Sequence, residues 1–146
     1  LGVAADLAIS ADNARYVMAY TNAGLSPDGS STYFLPRRVG DRRARELMLT
    51  NRMLKADEAM AWGLVNEVVP AEELMTRAKD LATELAAGPT LAFGEVKSLL
   101  NASFDNGLET QMELESRAIS RMSGTADGAE GIAAFLEKRG ADFKGA

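Results

Sequence analysis

With neither histidine nor cysteine among its 146 residues, this chain must leave any chemistry it performs to carboxylates and backbone N–H groups. A Ser-His-Asp triad formed within the chain is excluded, as are disulfides, thiolate metal sites and a cysteine nucleophile. One carboxylate stands out. In "GLSPDGSSTYFLPRRVG", Gly24 to Gly40, Asp28 sits between Pro27 and Gly29, where the pattern turns from extended to helical. A carboxylate there suits a helix cap, since it can accept from the first free backbone N–H groups at the positive helix end.

The charge balance narrows the partners. Sixteen basic and 21 acidic residues give a net charge of -5 with both signs interspersed. That argues against a general nucleic-acid binder. Arg37, Arg38, Arg42, Arg43 and Arg45 do cluster, but among Asp41 and Glu46, which reads as a solvated helix face with a local anion site as the alternative. No apolar run is long enough to span a bilayer, and the amino end lacks a basic-then-apolar layout. The expectation is a soluble, cytoplasmic protein with no membrane partner and no metal site. Starting on Leu1 within the apolar "LGVAADLAIS", the sequence reads as the interior of a longer chain.

The elements that must position Asp28 are of mixed type. "LGVAADLAIS" fits a buried helix end running into a short strand, and "ARYVMAY" predicts a strand from Arg15 to Tyr20. A short helix over Tyr33 to Leu35 is expected to break at Pro36. From Asp41 to Asn51, Ala44, Leu47 and Met48 share a helical face. "KADEAMAWG" predicts a short helix stopped by Gly63, and "LVNEVVP" a strand closed by Pro70. Beyond it the character changes to four successive helices, with Leu74, Ala78, Leu81 and Leu85 spaced along the first and Gly88-Pro89 as its stop. Leu99, Leu100, Met112 and Phe135 are expected to be core or subunit-contact residues. The reading is an α/β region over 1–70 followed by a helical tail over 71–146.

Two stretches, "AADLAISADNARYVMAYTNAGLSPDGSSTYFLPRRVG" and "ARELMLTNRMLKADEAMAWGLVNEVVP", followed by a tail ending "EGIAAFLEKRGADFKG", resemble the second half of the enoyl-CoA hydratase/isomerase (crotonase) family. The resemblance covers essentially the whole chain, and the block with the ADEA-x-x-x-GLV core is its most specific part. It implies an α/β fold of repeated ββα turns forming a spiral, here its C-terminal half only, followed by an α-helical trimerisation region giving a homo-trimer or hexamer. It also implies an acyl-CoA thioester substrate and no cofactor beyond the coenzyme A that the substrate carries. The family's oxyanion hole uses two backbone N–H groups that correspond to positions before Leu1. Such donors are commonly worth ~2.7 to 4 kcal/mol each, so the chain by itself should be almost inactive.

For the site, the resemblance places the second glutamate of the family hydratases at Tyr20. A phenol with an ordinary pKa near 10 is no substitute for an ionised carboxylate as base. Asp28, by contrast, matches the acid/base carboxylate of the dienoyl-CoA isomerases and of the ring-epoxide isomerases of phenylacetyl-CoA degradation, the latter being the more similar. Set in an apolar pocket beside the acyl chain, it would take a proton from one carbon and return it to another while the oxyanion hole holds the enolate. Tyr20 and Leu25 are then pocket wall or plain core, while Pro27 and Gly29 shape the turn. Ser30 and Ser31 replace two glycines common there, either narrowing the pocket or capping the helix. Phe135 and Lys138 match positions that reach the adenine and phosphate of coenzyme A; otherwise Phe135 is core and Lys138 solvated. Two alternatives stand beside the isomerase: a 4-chlorobenzoyl-CoA dehalogenase-like hydrolase with Asp28 as nucleophile, and a non-catalytic acyl-CoA-binding or scaffold protein.

Overall fold

Strand pairing in the computed structural model, which describes residues 4–146, joins segments far apart in sequence. Strand β1 (Ile9–Ala11) pairs in parallel with β4 (Glu67–Val69), Ile9 facing Glu67 and Ala11 facing Val69. Strand β2 (Arg15–Tyr16) pairs antiparallel with β3 (Leu54–Lys55). Between them lie a 3-10 turn (Thr21–Ala23) and helices α1 (Ser31–Val39), α2 (Asp41–Thr50) and α3 (Ala56–Ala61). Helices α4 (Leu74–Ala86), α5 (Thr90–Ser103), α6 (Leu108–Ser123) and α7 (Ala126–Glu137) follow, the four helices expected there. The chain divides into two compact units, Leu1–Lys79 and Asp80–Ala146, with the division inside α4.

The core of the first unit is built from α1, α2, β3 and the 64–65 segment. Leu35 and Leu54 are almost wholly buried, packed with Val39, Leu47, Leu64 and Val65. The expected break at Pro36 does not occur, because α1 continues through it to Val39. A proline inside a helix costs ~3 kcal/mol. Burying Leu35 and Val39 on the core side contributes about 1.5–3 kcal/mol each, which outweighs the lost N–H. The strand expected from Arg15 to Tyr20 ends at Tyr16, since its partner β3 is only two residues long. The last strand is likewise shorter than "LVNEVVP", because Leu64 and Val65 turn into the core instead of pairing. The helix end expected in "LGVAADLAIS" falls partly outside the described residues; its strand is β1.

The block "LTNRMLKADEAMAWGLVNEVVP" owes its pattern to this packing. Asn51 ends α2 in the left-handed region, at φ 54°. Arg52 forks onto Glu58 at 2.7 and 2.9 Å and also reaches Glu46 at 2.8 Å. Its guanidinium and that of Arg43 both lie against the Trp62 ring. Ala56 and Ala59 are fully buried, where a larger side chain would not fit at native packing density. Gly63, at φ 77°, turns the chain out of α3, and Asn66 exchanges hydrogen bonds with Ala8, from its N–H to the Ala8 carbonyl and from the Ala8 N–H to its Oδ1, both 2.8 Å.

The second unit is a helical assembly closed by its own tail. Thr125 caps α7 by accepting the Gly128 N–H at 2.9 Å. The buried Asp127 carboxylate accepts the backbone N–H groups of Lys144 and Gly145, at 2.7 and 2.8 Å. Glu130 accepts both Arg139 guanidinium donors and the Asp142 N–H, so the 140–146 segment is drawn back along α7. Leu100, Met112 and Phe135, expected in the core or at a subunit contact, are 61%, 58% and 82% exposed, so they are not core residues of this chain. Small residues, Ala118 and Ala134, are buried instead. Among the described residues, no helix is long and apolar enough to cross a membrane.

Candidate active site

A cleft of about 590 Å³ opens in the first unit between the strands and the two helices α1 and α2. Its wall is mostly apolar: Val17 and Met18 from the segment after β2, Leu35 and Leu47 from the helices, Leu64 and Val65 from the loop after α3. Asp28, Gly29 and Tyr20 line it as well. Asp28 is exposed at this edge, so it stands at the mouth of an apolar cleft and is not enclosed by it.

The side chain of Asp28 does not cap α1. That position belongs to Ser30, whose own side chain makes no capping bond. The Asp28 carboxylate is turned the other way, and its Oδ1 accepts the Tyr20 hydroxyl at 2.8 Å. The reason is local backbone geometry. Gly29 and Ser30 both take left-handed conformations, φ 59° and 62°, so the chain coils tightly before the helix starts. Ser31 then donates its N–H at 3.1 Å and its hydroxyl at 2.7 Å to the Asp28 carbonyl. Ser31 is buried and lines the cleft, but neither serine side chain caps the helix: the Ser31 hydroxyl donates to the Asp28 carbonyl, and Ser30, at the cap position, is exposed and makes no capping bond.

Tyr20 owes its place to the turn at which β2 gives out. Its carbonyl accepts the N–H groups of Ala23 and Leu25, at 3.0 and 3.1 Å, which folds the 3-10 turn beneath it. The hydrogen bond to Asp28 is the main cause that pushes the Tyr20 phenol above its ordinary value of 10, with desolvation and the carboxylate charge adding to it. The phenol therefore stays a neutral donor to Asp28 at neutral pH.

Of the other residues singled out in the sequence, Leu25 and Pro27 do not line the cleft, and Leu25 is 62% exposed. Pro27 is half-buried in the turn leading to Asp28. Phe135 and Lys138 belong to the second unit, where Phe135 projects from α7 and Lys138 ends it at φ 55°. The sequence reading missed Met18, Leu64 and Val65 as cleft residues. "VMA" was visible as a short apolar run, but nothing in its spacing tells which face meets the loop after α3. No group of acidic side chains among the described residues could hold a metal ion. A smaller cavity of about 250 Å³ in the second unit is bordered by Asp127, whose carboxylate already holds the tail.

The family model for enoyl-CoA hydratase/isomerase matches residues 1–146. The chain belongs to the enoyl-CoA hydratase/isomerase family. It is similar to the 1,2-epoxyphenylacetyl-CoA isomerase of Escherichia coli (strain K12), 41% identical over 146 residues, covering 99% of this chain and 55% of that protein. It is also similar to 4-chlorobenzoyl coenzyme A dehalogenase-1 of an Arthrobacter species, 39% identical over 138 residues, covering 94% and 50%. The crystal structure of an enoyl-CoA hydratase/isomerase from Cupriavidus metallidurans CH34 superposes with a TM-score of 0.91 at 38% identity, over 99% of this chain and 54% of that one. The chain thus spans about half the length of the relatives it matches. As a crotonase-family chain it carries the cleft, the aspartate at its mouth and a helical second unit.

Proposed function

We propose that this chain supplies the proton-transfer half of an enoyl-CoA isomerase, which shifts a double bond or rearranges a ring in an enoyl-CoA thioester. The observation that carries the reading is the pair itself. Asp28 stands at an apolar cleft while the position of the second hydratase glutamate holds Tyr20, a neutral phenol bonded to it. The likeness to a 1,2-epoxyphenylacetyl-CoA isomerase supports the same branch. Asp28 takes a proton from a carbon next to the conjugated system, and the electron pair moves onto the thioester oxygen as an enolate. Two backbone N–H groups from residues ahead of this segment hold that charge, and the proton returns to a different carbon, so no atom is gained or lost.

The acyl chain would lie along Met18, Leu35 and Val65, with no cofactor besides the coenzyme A of the substrate itself. Phe135 and Lys138 would meet its adenine and phosphate, and the exposed apolar side chains of the second unit would form the contacts of a homo-trimer or hexamer, in a cytoplasmic enzyme. In the full-length protein, Asp28→Asn is expected to lower the isomerisation rate by about 10²–10⁴-fold while leaving acyl-CoA binding intact. An Asp28→Asn enzyme that isomerises at the wild-type rate would sink this reading.

A second reading is favoured by the likeness to a 4-chlorobenzoyl coenzyme A dehalogenase. There Asp28 would attack the ring as a nucleophile, and chloride release from 4-chlorobenzoyl-CoA would reveal it. A non-catalytic scaffold would bind no non-hydrolysable acyl-CoA saturably, whereas either enzyme would.

A further inference from the structure

We infer that Tyr20 is a positioning residue, whose hydroxyl holds the Asp28 carboxylate in a single orientation at the mouth of the cleft. The inference rests on Asp28 being the proton carrier proposed above. Because Asp28 is exposed, packing does not fix the plane of its carboxyl group. A directed hydrogen bond of 2.8 Å to Oδ1 does. Among the described residues Oδ2 accepts no hydrogen bond from a side chain, so one oxygen is committed to Tyr20 and the other is free for substrate.

Both partners stand on anchored backbone. On the Asp28 side, the N–H and hydroxyl of Ser31 converge on its carbonyl. On the Tyr20 side, the turn is clasped to the end of α2. The Thr21 hydroxyl donates to the Met48 carbonyl at 2.8 Å and accepts from Asn51 Nδ2 at 2.6 Å. The Asn22 N–H adds a longer bond to Asn51 Oδ1, at 3.3 Å. Between two fixed pieces of backbone, the phenol–carboxylate bond leaves little freedom to the reacting group. That matters because misplacing a reacting atom by 1 Å costs on the order of 10²-fold in rate.

The residue type fits the role. A glutamate at position 20 would place a second negative charge, or a shared proton, against Asp28. A phenol gives a donor that stays neutral well past neutral pH, so position 20 adds no charge beside Asp28. Tyr20 itself touches the carboxylate; it need not exchange a proton with the substrate.

The test uses the full-length protein and an enoyl-CoA thioester whose double bond moves. Tyr20→Phe keeps the ring and removes only the hydroxyl. It is expected to lower kcat by about 10-fold to 100-fold with KM within about twofold, and to cost nothing further when added to Asp28→Asn. A structural role alone would not divide the loss in that way. Separately, NMR of Cζ-labelled tyrosine in the wild-type protein should show Tyr20 titrating above the ordinary phenol value, and shifting back towards it in Asp28→Asn. This second measurement does not require any Tyr20 variant to fold. Wild-type kcat in Tyr20→Phe alongside an inactive Asp28→Asn would overturn the positioning role and leave the Asp28 reading standing. A Tyr20 titration indifferent to Asp28→Asn would overturn it as well, whatever the rates. An active Asp28→Asn enzyme would remove the reading beneath both.

Discussion

At the scale of single residues, what a side chain can reach is settled by the backbone beneath it. Asn51 shows this clearly. Its left-handed conformation at the end of α2 lets the amide point back to Thr21 and Asn22, and few residues other than glycine tolerate that backbone. Asn51→Ala loses both the conformation and the hydrogen bonds, so it should destabilise the protein by about 1–3 kcal/mol in urea unfolding. Asn51→Gly keeps the backbone at ease and loses only the clasp, so it should cost less. If the two substitutions were equally damaging, backbone conformation would not be the deciding factor. Asp28 was visible in the sequence as an aspartate between proline and glycine. Its partner was not, because Tyr20 lies eight positions before Asp28 across a 3-10 turn that residue spacing does not reveal. The cap role that local rules favour for Asp28 was lost to the left-handed Gly29 and Ser30, which set the start of α1 at Ser31.

At the scale of elements, helices were far more legible than strands. α2 through α7 carry their own signals: periodic apolar positions, the Gly63 stop, and the Gly88-Pro89 stop. Strands of two or three residues carry almost none, since their limits depend on where a distant partner ends. Pro36 misled in the opposite direction, because its local penalty was overruled by burial on both sides of it. The junction of α6 and α7 offers a sharp check on element packing. A Cβ added at Gly128 would land on the Met122 carbonyl oxygen, a backbone atom that cannot simply swing away. Gly128→Ala, ordinarily favourable inside a helix, is therefore expected to lower the thermal midpoint by several degrees. A raised midpoint would mean that the turn yields freely. Gly94, with open space around its Cβ position and a place inside α5, is the matched control and should tolerate alanine.

At the scale of the whole molecule, charge pairing sets the response to acid. Glu130, held by the Arg139 fork and the Asp142 N–H, is lowered from 4.5 to about 2, and Arg52 lowers Glu58 in the same direction. A depressed carboxylate stabilises the fold fully above its ordinary value and loses that contribution as pH falls through the folded one. Stability should thus stay level down to about pH 4.5 and decline towards about pH 2. Arg139→Gln should flatten the part of that decline that Glu130 contributes, as read by unfolding at stepped pH. The family was legible from motif order because the motif block is itself a record of packing, residue by residue, from Asn51 to Asn66. The sequence changes character after Pro70, whereas the two compact units divide between Lys79 and Asp80, inside the continuous helix α4, where no local signal marks a boundary. The reciprocal bond of Ala8 with Asn66 spans 58 positions, and the adjoining β1–β4 ladder is parallel. Closing so long a loop is entropically slow, and contacts of this separation set folding speed. During synthesis, β1 leaves the ribosome well before its partner exists, so this edge waits unpaired until nearly half of the chain shown has followed it.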